Sequence, residues 1–303
     1  MTVTAFHSNA HVPLEHMRPA TDRCPVCLST AARCAVFRVQ ADPPVDYLKC
    51  TACGACSTSA MPTDAFLQNF YSTYYTATDA AVTFRGVDRF CRHILRSVEL
   101  PARAGRELTI LDFGGGGGTI SRGIARRLLD AGRAASVAIA LVDHNSNARS
   151  DDPRISVTTP ARIDEVDGAF DLVIASAILE HVPFVHDTLR SLFARIAPAG
   201  CFYARTPYHL PLVRLHRGFN LLFPAHLHDM GEAFWSRVLE TMGLPGRLIA
   251  SRPSIVESML HEDFFRTVAA HVLKFPARVE LALGRKRPLW PFVGGWEVVI
   301  QRA

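Results

Sequence analysis

Leu108-Thr-Ile-Leu-Asp112-Phe-Gly114-Gly115-Gly116-Gly117-Gly118-Thr119 runs an apolar strand straight into five glycines. A helical pattern from Ile120 to Ala131 follows at once. Glycines belong at such a junction because the chain turns sharply and its backbone must approach a ligand closely. The first N–H groups of the next helix have no partner of their own and can face that ligand. Working outward, Val137–Val142 predicts a second strand ending at Asp143, and Ile155–Val157 a short third. Phe170–Ala175 predicts a fourth strand and Leu179–Ile196 a mostly helical segment. Gly200–Thr206 predicts a fifth strand that stops at Pro207. Continuous apolar strands alternating with helices predict an α/β fold with a mostly parallel sheet covered on both faces. Such sheets bind ligands at the carboxyl ends of their strands, which is where the glycines stand.

The spacing excludes two common ligands. A dinucleotide fingerprint needs G-x-G-x-x-G or a final Ala. Here Gly114 and Gly116 lead to Thr119, and Gly115 and Gly117 lead to Ile120. No Gly-Lys-Ser/Thr follows, so a P-loop fails as well. The segment resembles the D/E-x-G-x-G-x-G motif of class I S-adenosylmethionine (SAM)-dependent methyltransferases, through Asp112, Gly114, Gly116 and Gly118. Phe170-Asp-Leu-Val-Ile-Ala-Ser176-Ala-Ile-Leu-Glu180-His181-Val resembles that family's fourth-strand signature. The resemblance covers about residues 105–245 in the right order. It implies a Rossmann-like, seven-stranded sheet, with SAM as cofactor held by Asp112, Gly114, Gly116, Gly118, Asp143 and Ser176. Asp143 would hold the ribose hydroxyls. Many relatives place an adenine-binding acid after the third strand, where this chain has Thr158-Thr-Pro160-Ala-Arg162.

The cysteines are unevenly spread. Six of eight lie between Cys24 and Cys56. Cys24-Pro-Val-Cys27 and Cys50-Thr-Ala-Cys53 form two C-x-x-C knuckles, a spacing that supplies four soft ligands to tetrahedral zinc. A closed four-thiolate site implies a structural metal. Cys34 and Cys56 are spare. The knuckles are followed by a Phe/Tyr-rich segment (Phe66, Phe70, Tyr71, Tyr74, Tyr75) and then the core. That layout resembles bacterial methyltransferases of deoxysugar nucleotides and other secondary metabolites.

The chain has 303 residues and a net charge of +5, with only three lysines. Mild charge without basic clusters argues against a nucleic-acid partner. The start lacks a secretion-signal pattern and no apolar run is long enough to span a membrane, so a cytoplasmic location is expected. The expected organisation is a flexible leader (1–20), a zinc ribbon (21–62), a helical linker or lid (63–104) and the SAM-binding domain (105–303). In the linker, Asp64 can cap a helix with Phe66, Phe70 and Tyr74 on one face, and Phe90, Ile94 and Val98 are in phase on a second. Asp229 and Glu232 resemble a capping box opening a helix with Phe234, Val238 and Leu239 on one face, closed by Gly243. Late strands are expected at Arg247–Ala250 and Trp296–Ile300. The helical insertion between them, around 261–290, reads as packed amphipathic helix in preference to a membrane-surface one.

Methyl transfer needs an aligned nucleophile and a dry site, with a base only where the acceptor must lose a proton. His181, just after the fourth strand, is the candidate base. His209, His216, His226 and His228 follow the fifth strand and are lesser candidates, and Tyr74, Tyr75 and Tyr208 are candidate pocket walls. The leading reading is a small-molecule methyltransferase with a structural zinc site. The alternatives are a ribosomal-RNA methyltransferase, some of which also carry a zinc ribbon, and a non-enzymatic SAM-binding protein. Acceptor and oligomeric state leave no mark on the sequence.

Overall fold

In a computed structural model, the described residues are 10–19, 21–76, 86–101, 103–143, 148–215, 223–255, 264–285 and 290–303. The elements in chain order begin with β1 (Arg33–Gln40), β2 (Val45–Cys50), β3 (Cys56–Thr58), α1 (Asp64–Thr76) and α2 (Val87–Ser97). Then come β4 (Arg103–Phe113), α3 (Thr119–Asp130), β5 (Ala134–Val142), β6 (Ile155–Thr158), β7 (Phe170–Ser176) and α4 (Val185–Ala194). Next are β8 (Ile196–Tyr208), α5 (Leu210–Leu215), β9 (His228–Asp229), α6 (Glu232–Trp235) and α7 (Val238–Met242). The chain closes with β10 (Arg247–Pro253), α8 (Phe264–Ala282) and β11 (Gly294–Gln301).

Alternation along the strands builds the seven-stranded sheet, ordered β10-β11-β8-β7-β4-β5-β6. Leu172 and Ile174 join Ile110, Ile139, Tyr203 and Val299 on one face, against α2 and α3. Val173 and Ala175 join Leu111, Phe202, Val298 and Ile300 on the other, against α4, α6 and α7. Each strand is therefore apolar at consecutive positions, because both of its faces are covered. β4 pairs in parallel with β5 and β7, and β8 with β7, whereas β11 runs antiparallel to both β8 and β10. The chain leaves β4 toward β5 and β6 and then crosses back to β7. That reversal opens a crevice at the carboxyl ends of β4 and β7.

A four-stranded sheet, β1-β2-β3-β9, carries the cysteine knuckles. Its last strand comes from far along the chain, since Cys56 and Ser57 pair with Asp229 and His228. Cys24, Val26, Cys50 and Cys53 share one buried cluster with Met230, Phe234, Trp235 and Trp296. A Cβ on Gly54 would sit 2.7 Å from that of Ala233. The two sheets are thus packed into each other.

Five expectations are corrected. β8 runs through Pro207 to Tyr208. Arg205 turns its carbonyl toward β7, accepting from Ala177 N–H, so Pro207 faces the same side, beyond the last β7 pairing at Arg205. A missing N–H costs no ladder bond there. Asp229 does not cap its own helix. It lies buried in β9 and its carboxylate accepts the N–H groups of His209 and Leu210 at 2.6 and 3.2 Å, capping α5. Gly231 occupies the N-cap of α6, and Arg237 begins a separate α7. On α1 the buried position is Leu67, one residue along from the expected face; the side chain of Tyr74 lies outside the described residues. Residues 10–19, expected to be flexible, pack onto the ribbon, with Val12 fully buried beside Val45, Leu67 and Leu227. Finally, α8 directs apolar side chains to solvent.

Candidate functional site

The glycine turn sits at the carboxyl end of β4. Gly114, Gly116 and Gly118 all adopt the left-handed region, at φ 71°, 55° and 68°. A Cβ on Gly114 would lie 2.3 Å from the Ile178 side chain, and one on Gly115 would lie 2.4 Å from the Asp112 carboxylate. The turn is therefore wedged beneath the loop that follows β7. Side chains at Gly116 and Gly117 would meet open space. That open side is the crevice.

Asp143, directly after β5, accepts the Gly116 N–H through Oδ2 at 2.9 Å. This contact links the acidic strand end to the glycine turn. Asp112 is buried, and its Oδ2 has no hydrogen-bond partner; the same holds for Ser176 Oγ at the end of β7. Burial pushes the Asp112 carboxyl up to about 6, against the opposing effect of the Ser121 hydroxyl. Orphaned buried polar atoms are costly unless a ligand completes them. The structure thus brings Asp112, Gly114, Gly116, Gly118, Asp143 and Ser176 to one crevice.

The turn also yields a steric test. Gly114→Ala must displace Ile178 and hold a side chain at positive φ, so a loss of about 2–4 kcal/mol is expected. Gly117→Ala meets no atom and should leave stability within about 0.5 kcal/mol. Thermal unfolding of the pair checks this; equal stability would place the turn elsewhere.

Beyond Ile178, a short 3₁₀ turn, Leu179–His181, carries Glu180 and His181. His181 Nδ1 lies 2.7 Å from the Ala225 carbonyl, which can only accept, so Nδ1 carries the proton. Tyr71 of α1 places its hydroxyl 3.1 Å from the same nitrogen and donates to Ala225 O at 3.2 Å. Nε2 is left as an acceptor, 3.7 Å from Glu180 Oε1. Burial pushes His181 down to about 4 and Glu180 up to about 8, so at neutral pH both are largely uncharged. Glu180 Oε2 has no hydrogen-bond partner. Arg205, buried on β8, partly counters the upward push on Glu180.

The lesser histidines separate clearly. His226 packs edge-on against His181 at 4.9 Å between ring centroids, and His209 stacks on His226 at 5.7 Å. Glu180, His181 and His226 bring ligand atoms within 4.8 Å of one another. His228 instead ties elements together. Its Nε2 donates to the Val182 carbonyl at 2.9 Å, which leaves Nδ1 to accept from Ser57 Oγ at 2.8 Å. His216 lies outside the described residues, as do the side chains of Tyr74 and Tyr75. Tyr208 packs edge-on against Trp296 at 5.5 Å. Tyr71, named above only within the aromatic segment, and Arg205 have no site role in the sequence reading. An arginine inside the apolar run Cys201–Thr206 was the available signal for one; nothing local marks the other.

The four knuckle cysteines form a second centre. Cys24 and Cys53 Sγ are 3.8 Å apart, as are Cys27 and Cys50, and all four lie within 4.8 Å. Zinc–sulfur bonds of about 2.3 Å in a tetrahedron give sulfur–sulfur edges of about 3.8 Å, so the set fits zinc. The two knuckles are alike: Leu28 and Gly54, each after the second cysteine, have φ 58° and 78°. Their N–H groups bond back to Cys24 O and Cys50 O. A hydrogen bond from Cys53 draws the Cys24 thiol down to about 5, favouring the thiolate that a metal requires.

Comparison with known proteins places this arrangement among relatives. Residues 84–245, more than half of the chain, match the family described as methyltransferase domain. A ubiquinone biosynthesis O-methyltransferase of Paramagnetospirillum magneticum is 36% identical over 122 residues, covering 39% of this chain. The chain spans about half the length of that curated relative, 47%. Among solved structures, a SAM-dependent methyltransferase from Mesorhizobium loti is 18% identical, with a TM-score of 0.40, covering 72% of this chain and 100% of that one. Magnesium protoporphyrin IX methyltransferase from Synechocystis, with bound SAH, is 15% identical with a TM-score of 0.44, covering 79% and 97%.

Proposed function

The chain belongs to the methyltransferase-domain family, and from that premise we propose that it transfers a methyl group from SAM to a small-molecule acceptor. The observation that carries the reading is the crevice itself. The Gly114–Gly118 turn, Asp143 and two buried, unpartnered polar atoms, Asp112 Oδ2 and Ser176 Oγ, meet at the point where the sheet reverses. Asp143 would hold the ribose hydroxyls, and the backbone of Gly114, Gly116 and Gly118 would let the cofactor lie against the turn. Bound there, SAM supplies an electrophilic methyl group on a sulfonium whose leaving group departs neutral.

The chain's own work is to align the acceptor, exclude water and take a proton where one must leave. His181 Nε2 is the acceptor nitrogen suited to that. Its neutral form dominates above about pH 4, so Nε2 is unprotonated at neutral pH, but burial weakens it as a base and a proton taken there needs a nearby carboxylate to hold it. A proton arriving there favours ionisation of Glu180, 3.7 Å away. His226, His209 and Tyr71 would flank the acceptor and keep His181 in one tautomer. The name of the curated relative supports an oxygen atom as the one methylated; a sugar nucleotide or another secondary metabolite is the proposed acceptor class. In the ribbon, Cys24, Cys27, Cys50 and Cys53 would hold one structural zinc.

The test offers the protein methyl-labelled SAM with a panel of hydroxylated small molecules and, separately, total RNA. Label is expected in the small-molecule fraction. With the best acceptor, His181→Ala should lower kcat about 10²- to 10⁴-fold while the SAM Kd stays within a factor of two or so. Label in RNA would overturn the acceptor class. An unchanged kcat would remove His181 from the chemistry.

A further inference from the structure

Three side chains able to ligate a metal meet beside the crevice, well apart in the sequence from the knuckle cysteines. Glu180, His181 and His226 each bring one donor atom within 4.8 Å of the other two. His181 Nε2 and Glu180 Oε1 are 3.7 Å apart. Bonds of about 2.0–2.2 Å to a tetrahedral cation set donor–donor edges of about 3.3–3.6 Å, so side-chain shifts of about 1 Å close the set.

The surroundings of these donors are those of a ligand shell. His181 Nδ1 donates to the Ala225 carbonyl at 2.7 Å, which fixes the ring and leaves Nε2 as the donor atom beside Glu180. Metal-bound imidazoles are commonly held in this way, by an acceptor on the other ring nitrogen. His226 stacks on His209 at 17° between ring planes, and its carbonyl accepts from Tyr47 of β2 at 2.7 Å. Glu180 supplies an independent observation. Its side chain is 1% exposed and its Oε2 has no hydrogen-bond partner. A buried carboxyl oxygen in that state is costly until a cation or a donor completes it. Arg205 favours the ionised form of Glu180 and Asp229 opposes it, so the main counter-charge for a cation is Glu180 itself.

We propose that Glu180, His181 and His226 hold a divalent transition-metal cation of the zinc type, with an open position for the hydroxyl oxygen of the acceptor. Two imidazoles and one carboxylate suit such a cation better than calcium or magnesium, which prefer oxygen ligands. Three protein ligands leave a fourth position to substrate, whereas the four knuckle cysteines close theirs. His181 is 23% exposed, and its N–H bonds to the carbonyl of Ile178, the residue wedged over the glycine turn. The cation therefore sits one short turn from the proposed SAM site.

The inference rests on the methyltransferase reading and moves the task of the base to the cation. A metal-bound hydroxyl is acidified, as zinc-bound water is to a pKa of about 7. Its O–H bond breaks with the electron pair left on oxygen, and the proton passes to water. The oxygen then bonds the methyl carbon of SAM while the carbon–sulfur bond breaks and its pair returns to sulfur. His181 Nε2 serves as a base only while the cation is absent.

The test is the zinc content of the full chain after dialysis against micromolar free zinc. Two ions per chain are expected in the wild type and one in His181→Ala/His226→Ala, whose knuckles are intact. Should the double variant fail to fold, Glu180→Gln keeps the shape of the side chain and should weaken the second ion about tenfold or more. A mild chelator that leaves the knuckle zinc in place should lower turnover about tenfold or more, and added zinc should restore it. The proposal is overturned by a wild-type chain that takes one zinc or a double variant that still takes two. It is equally overturned by full turnover at one zinc per chain, which returns the proton to His181. Methyl transfer that fails in every metal state counts against the methyltransferase reading instead, and the stoichiometry still decides the metal site.

Discussion

Asp143→Ala is expected to weaken SAM binding about a hundredfold. The carboxylate follows β5 directly, beside the crevice, and accepts the Gly116 N–H through one oxygen. That bond fixes the acid against the glycine turn and leaves the carboxylate oriented before ligand arrives. Hydrogen bonds to a charged group contribute about 1.5–3 kcal/mol each, and 1.4 kcal/mol is a factor of ten in Kd. Losing the proposed ribose contacts and the brace on Gly116 together places the loss near the upper end of that range. Asp143→Asn keeps one acceptor oxygen and should fall in between. Calorimetric titration measures both. Unchanged affinity in the alanine variant would mean that the ribose lies elsewhere.

Loss of the proposed zinc site should have the second large effect. The wild-type chain is expected to carry one zinc on the knuckle cysteines, and Cys50→Ser/Cys53→Ser to abolish that metal content and lower the unfolding midpoint by about 10 °C. That corresponds to roughly 5 kcal/mol, a part of what structural zinc sites contribute to small domains. The damage should not stay in the ribbon. Thr58 N–H bonds to Leu227 O, and Leu227 N–H bonds to Glu180 O. Tyr47 donates to His226 O at 2.7 Å, and His228 bridges Ser57 to Val182 O. The segment from His226 to Asp229 is therefore held between the ribbon and the turn that carries His181. Amide exchange in residues 223–230 should accelerate in the variant, and turnover should fall at least about tenfold, with SAM affinity changed only a few-fold. A variant that has lost this zinc and keeps wild-type exchange in that segment would contradict this coupling.

The parts of this arrangement that local chemistry dictates were legible before the structure. Five glycines between an apolar strand and a helix have few other uses, and the two C-x-x-C pairs carry the spacing of a tetrahedral site. Asp143 was readable because it ends a strand beside the turn. Contacts made across the chain were not. Tyr71 reaches His181 over 110 positions, and Ser57 reaches His228 over 171. No periodicity encodes either. Asp229 shows the opposite failure. Its spacing to Glu232 satisfies a local capping rule, yet pairing with the ribbon strand carries it away and turns its carboxylate to α5. For α8 the sequence shows apolar residues at helical spacing but not which side of the helix the rest of the protein covers. Packing alone decides that, and it leaves those side chains in the open.

Isothermal titration of the intact chain with SAM tests the central claim most directly. The account predicts one site per chain with a Kd in the micromolar range and a rise in the unfolding midpoint that grows with ligand concentration. No heat and no thermal shift at millimolar SAM would contradict it.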